Sequence, residues 1–95
     1  MFLHITSATY LEDYKVKVSF NNGREGIADL SGALKCGIFK SLQSKAKFSR
    51  LMLDKELETI VWENGADLAP EYVYFQTFKD DIGLQEQFKQ WGYLD

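Results

Sequence analysis

Ninety-five residues, 45% hydrophobic and 15% aromatic, make about one domain with a single core and exclude a disordered chain. No apolar run approaches the ~18 residues of a membrane span, and the start MFLHITSATY lacks the basic region and long apolar stretch of a secretory signal; the expectation is a cytoplasmic chain without a membrane partner. The net charge of −3 is far from the strongly basic profile of a typical nucleic-acid domain.

In chain order, ITSATYL predicts a first strand, followed by an acidic turn at Glu12-Asp13. Residues 14–20, YKVKVSF, alternate without a fault. Tyr14, Val16, Val18 and Phe20 share one face, and Lys15, Lys17 and Ser19 the other, as in a half-buried strand. Asn22-Gly23 is a strong hairpin signal, because both residues tolerate the positive φ of a type I′ turn. A two-residue turn there pairs Asn21 with Arg24 and Val18 with Ile27 as REGIADL returns, completing a three-stranded meander. Past Asp29 and Leu30 the period changes. Ser31 is placed to cap a short helical turn through SGALK, and Gly37 interrupts it. The spacing of Ile38, Leu42, Ala46 and Phe48 suits short helical pieces. RLMLD and TIVW, linked by KELE, predict a second hairpin.

The stretch WENGADLAPE then repeats the Asn-Gly chemistry at Asn64-Gly65, and Pro70 suits the first turn of a helix, where its missing N–H is no loss. The segment is read as ending a strand, turning and starting a helix. Asp67 is placed to accept backbone N–H bonds there, and Trp62 reads as a core ring. Whether Trp62, Glu63, Asn64 and Asp67 also bind something is left open. PEYVYFQTF predicts one helix. In the tail, Leu84, Phe88 and Trp91 recur at i, i+4 and i+7, one stripe of an amphipathic helix that Gly92 can end. The fold class is therefore α+β: an antiparallel meander plus a second hairpin, short helices packed on one face, and a C-terminal amphipathic helix. The division expected is one domain over residues 1–80 with a helical appendage over 81–95.

For chemistry the chain offers little. His4 is the sole histidine and Cys36 the sole cysteine, so neither a histidine metal triad, an internal disulfide nor a thiolate metal site can be completed. The glycines form no phosphate-binding fingerprint. Glu12-Asp13 and Asp80-Asp81 lie in polar turn contexts that give no reason for raised pKa values. An enzyme acting through Asp29, Glu63 and Asp67 is the weakest reading, and neither catalysis, metal nor cofactor is expected. Charge is segregated instead: Lys35, Lys40, Lys45, Lys47 and Arg50 fall in residues 35–50 with no acid among them, whereas residues 51–95 carry ten acids against three bases. The segment 35–50 is either a solvated face or, with Phe39 and Phe48, an anion or nucleic-acid contact. The stripe Leu84, Phe88, Trp91 meets either its own domain or another chain, because an isolated helix of about 12 residues is marginal in water.

The hairpin YKVKVSFNNGREGIADLS, the middle piece GIFKSLQSKAKFSRL and TIVWENGADLAPEYVY together resemble the small bacterial family catalogued as domain of unknown function 2442, over about residues 3–75. The family pattern of an aspartate before Leu-Ser and another after Asn-Gly-Ala falls on Asp29 and Asp67. Ala69 departs from it, standing where a polar capping residue often precedes the proline. The resemblance implies a single α+β domain and no known activity. It also implies an interaction role: a non-catalytic, regulatory or antitoxin-like partner of a small protein encoded nearby, or of a second copy of itself.

Overall fold

The structure, a computed structural model, describes residues 2–35 and 37–94; Cys36 lies outside them. Strands β1 (Ile5–Glu12), β2 (Lys15–Phe20) and β3 (Glu25–Asp29) form an antiparallel sheet in the order β1-β2-β3. The alternation in β2 is realised as expected: Val16, Val18 and Phe20 are buried while Lys15 and Lys17 face solvent.

The β2–β3 register differs from the sequence expectation by one residue. Val18 pairs with Gly26 and Ile27 with Lys17. The cause is the turn, which holds three residues rather than two. Gly23 N–H donates to the Phe20 carbonyl (3.1 Å), Phe20 N–H donates to the Arg24 carbonyl (2.9 Å), and Asn22 Oδ1 accepts from Arg24 N–H (3.0 Å). Gly23 has φ +87° and Asn22 does not join it in the left-handed region, which makes this a type I turn closed by a left-handed glycine. A slip of one residue exchanges the two faces of a strand. Ile27 therefore points to solvent at 54% exposure, and Gly26 and Ala28 point inward. The small inward residues let a helix seat directly on β3: a Cβ added at Gly26 would lie 2.7 Å from Thr77 Cγ2 and 3.3 Å from the Phe78 ring.

Residues 31–48 form a 3₁₀ turn at Ser31–Ala33, a longer 3₁₀ segment at Gly37–Gln43 and helix α1 (Lys45–Phe48). Ser31 does not cap the first of these. Leu30 occupies the cap position, and the Asp29 carboxylate accepts from Ser31 N–H at 3.0 Å. That backbone bond, with help from the Ser31 hydroxyl, holds the Asp29 carboxyl below the usual carboxylate range. Leu42 and Phe48 carry this segment into the core.

The second hairpin pairs β4 (Met52–Asp54) with β5 (Thr59–Val61). After β5 the expected order of strand, turn and helix gains a step. The chain turns at Asn64-Gly65 and pairs back, with an antiparallel bridge from Val61 to Asp67 and a hydrogen bond from Leu68 N–H to the Ile60 carbonyl (3.2 Å). Asp67 is exposed and extended in this bridge. Asn64 fills the turn role assigned to Asp67, its Oδ1 accepting from Ala66 N–H at 3.0 Å.

Helix α2 (Pro70–Phe78) follows, with Pro70 in its first turn and no side-chain cap from Ala69. A 3₁₀ turn at Ile82–Leu84 leads into α3 (Gln85–Gln90). Gly92, at φ +87°, ends α3: its N–H donates to the Lys89 carbonyl (3.0 Å) and Tyr93 N–H to the Phe88 carbonyl (2.9 Å), which closes the last turn as a Schellman motif.

Arg24 fastens the first hairpin to the C-terminal segment. Its guanidinium contacts Asp81 Oδ2 at 2.7 Å, donates to the Tyr74 hydroxyl at 3.3 Å and lies 4.5 Å from the Phe78 ring centroid. Arg24, and then the Gly83 N–H, hold the Asp81 carboxyl below its usual range. A carboxyl with a lowered folded pKa stabilises above its unfolded pKa of about 3.9 and loses that contribution as pH falls through the folded value. Wild type is therefore expected to exceed Asp81→Asn in urea midpoint at neutral pH, and the gap should close below about pH 3.9. A gap unchanged into acid would remove the ion pair as its origin.

Candidate functional site

Two stretches far apart in sequence meet beside the second Asn-Gly turn. Trp62 is buried, its indole N–H donating to the Phe48 carbonyl at 2.9 Å and its ring packed against Phe48 (5.6 Å between centroids) and Phe39 (6.4 Å). The donor therefore has its partner inside the core. Asn64 reaches the other way, donating through Nδ2 to the Ile38 carbonyl and to Ser41 Oγ, both at 3.1 Å. These bonds tie the turn to the 3₁₀ segment. Between them opens a cleft of about 250 Å³ lined by Ser41, Leu42, Lys47, Arg50, Trp62, Glu63 and Asn64.

The cleft takes two of the five cations of the basic segment. All five are exposed. Lys45 turns away to Asp13, with Nζ 2.9 Å from Oδ1; this contact lowers the Asp13 carboxyl and raises the Lys45 ammonium relative to their usual values. Lys35 and Lys40 do not line the cleft. Among the described residues, Lys35, Lys40, Lys47 and Arg50 have no carboxylate oxygen within 4.0 Å. Lys47 and Arg50 thus stand over an aromatic and aliphatic wall, with one acid, Glu63, at the rim.

The C-terminal stripe is engaged within the chain. Phe88 is fully buried, and Leu84 and Trp91 pack partly buried against the same core. The Trp91 ring lies 6.0 Å from both Tyr74 and Phe88, and Trp91 also lines a second depression with Phe2, Asn22 and Glu71. His4 Nδ1 lies 2.9 Å from Glu58 Oε2. Sequence reasoning did not find Ser41, the reach of Asn64 to residues 38–41, or the Arg24 fastening. A signal for the turn was present in the two Asn-Gly pairs, but nothing local specified what Asn64 Nδ2 would meet.

The fold and its cleft define a small α+β domain. The chain belongs to the family described as "Protein of unknown function (DUF2442)", whose profile matches residues 5–79. No curated protein matches it. Among solved structures it is similar to "Crystal Structure of Putative DNA Binding Protein NE0471 from Nitrosomonas europaea ATCC 19718", with a TM-score of 0.74 at 14% identity. That similarity covers 99% of this chain and 63% of the other, so the present chain spans less than two thirds of its neighbour's length. The likeness shows the fold. Among the described residues, no helix is long and apolar enough to cross a membrane.

Proposed function

We propose that the chain is a non-catalytic interaction module that receives an acidic segment of a partner protein in the cleft between residues 41–50 and the turn 62–65. The observation that carries this reading is the pair Lys47 and Arg50, exposed and without a carboxylate partner among the described residues, above the Trp62 and Leu42 wall. A carboxylate with an apolar neighbour fits such a place: the cations attract the charge, and the wall takes the side chain. The occurrence of this fold within a longer chain supports a modular role. The partner envisaged is a small protein encoded nearby, in an antitoxin-like pairing.

The second reading is a nucleic-acid backbone on the same face. It is favoured by Lys35 and Lys40, two further exposed cations of the same segment with no carboxylate partner among the described residues, and by the DNA-binding name of the similar structure. The third or more of that neighbour lying outside the similarity is an equally good seat for its named activity, which places this reading second.

Titration of a labelled Asp/Glu-rich peptide and of a labelled DNA duplex, at low and moderate salt, tests both. Lys47→Glu with Arg50→Glu should weaken peptide binding about tenfold or more, each exposed pair contributing up to about 1 kcal/mol. Glu63→Gln should strengthen it. Peptide binding indifferent to all three substitutions would sink the proposal. DNA binding that falls steeply with salt, without peptide binding, would establish the second reading in its place.

A further inference from the structure

The two Asn-Gly turns are built alike. In each, the first residue's N–H donates to the carbonyl four residues on (2.9 Å at Phe20 and at Trp62), and the glycine N–H donates to the carbonyl three residues back (3.1 Å at Gly23, 3.0 Å at Gly65). In each, the asparagine Oδ1 accepts from the N–H two residues on at 3.0 Å, and the glycine φ is +87° or +91°. Both asparagines are exposed. They differ in one respect. Asn64 Nδ2 donates to two acceptors at 3.1 Å, Ile38 O and Ser41 Oγ, whereas Asn22 Nδ2 donates to one, the Tyr74 hydroxyl, at 3.3 Å.

Asn-Gly is the dipeptide most prone to intramolecular attack on the side-chain amide, since glycine places no side chain beside its own nitrogen. From this asymmetry we propose that Asn22 is a self-modification site, converting in the folded protein to aspartate or isoaspartate well before Asn64 does. The Gly23 amide nitrogen gives its proton to solvent and bonds to Asn22 Cγ. The C–Nδ2 bond breaks, and ammonia leaves with a proton from solvent. Water then opens the cyclic imide at either carbonyl. No oxidant or cofactor is needed. The Gly23–Phe20 hydrogen bond must open first, as exposed turn tips do at little free-energy cost, and the Asn22 amide must then swing toward Gly23. At position 22 that motion releases one long hydrogen bond from Nδ2, and at position 64 it releases two shorter ones. The product matters to the fold because it places a carboxylate next to Arg24, the residue that holds Asp81. The isoaspartate form also lengthens the main chain by one carbon within the turn.

The test is incubation of the full chain in mildly alkaline buffer, with peptide mapping by mass spectrometry for the loss of ammonia and gain of water at each site. Position 22 is expected to convert several-fold faster than position 64 in the folded protein. The same chain in urea should show nearly equal rates, because the hydrogen bonds that separate the sites are gone. Ser41→Ala should accelerate position 64 and leave position 22 unchanged. Equal folded rates, faster conversion at 64, or a rate difference that survives in urea would each overturn the proposal.

Discussion

Phe88→Ala is expected to lower stability by about 3–5 kcal/mol, the usual cost of truncating a fully buried aromatic ring. Phe88 has no exposed surface and packs edge-on against Phe75 (5.0 Å between centroids), with Tyr74 at 6.3 Å and Trp91 at 6.0 Å. Its removal leaves a cavity lined by rings on α2, which is itself fixed on the sheet at Gly26. Truncation after Asp81 removes the same ring together with Leu84 and Trp91, and should cost at least as much. Urea unfolding would measure both, with the slope unchanged for Phe88→Ala and lower for the truncated chain, which exposes less surface on unfolding. A truncated chain as stable as wild type would show that residues 82–94 do not complete the core.

Trp62→Ala is expected to have an effect of similar size through two causes that a second variant separates. The ring fills the space between Phe39 and Phe48, and its N–H donates to the Phe48 carbonyl. Trp62→Phe keeps most of the bulk but removes one of the two donors to that carbonyl, which still accepts from Leu51 N–H at 3.2 Å, a loss of about 0.5–1.5 kcal/mol. Trp62→Ala adds the cavity, for about 3–5 kcal/mol in all. Equal midpoints for the two variants would mean that the hydrogen bond, not the packing, dominates. Both variants should also weaken acidic-peptide binding at the cleft, since the indole forms its wall; Lys47→Glu with Arg50→Glu should do so without a comparable loss of stability.

The strands and the α2 helix were legible because their signals are local. Period-2 alternation in YKVKVSF, the β-branched run TIV and the proline opening PEYVYFQTF each state their structure within a few residues. What failed was also specific. Asn22-Gly23 permits both a two-residue and a three-residue loop, and the choice turned on side-chain bonds from Asn22 that the dipeptide does not reveal. The same ambiguity hid the return of residues 66–68 onto β5. Asp67 looked like a turn acceptor by residue type, yet the preceding Asn64 already supplied that bond. The basic segment was visible as composition. Its partition was not: Lys45 is joined to Asp13 across 32 residues of chain, and Lys47 with Arg50 meets the turn 62–65, contacts only the tertiary fold decides.

All the strand ladders join neighbours in the chain, β1 to β2 to β3 and β4 to β5, so the loops that must close to form them are short and their entropic cost is small. Such hairpins form in microseconds, and a fold rich in local pairings reaches its transition state quickly. The contacts that join the pieces span far more chain: Ile5 N–H to the Glu58 carbonyl, and Arg24 to Asp81, 57 residues apart. We predict that these form last. Phe88→Ala should then act chiefly on the unfolding limb of the chevron, leaving the refolding rate near wild type, whereas substitutions at Val16 or Val18 should slow refolding. A protein arranged in this way sheds its C-terminal segment faster than it loses its sheet, and kinetic persistence rests on the residues added last.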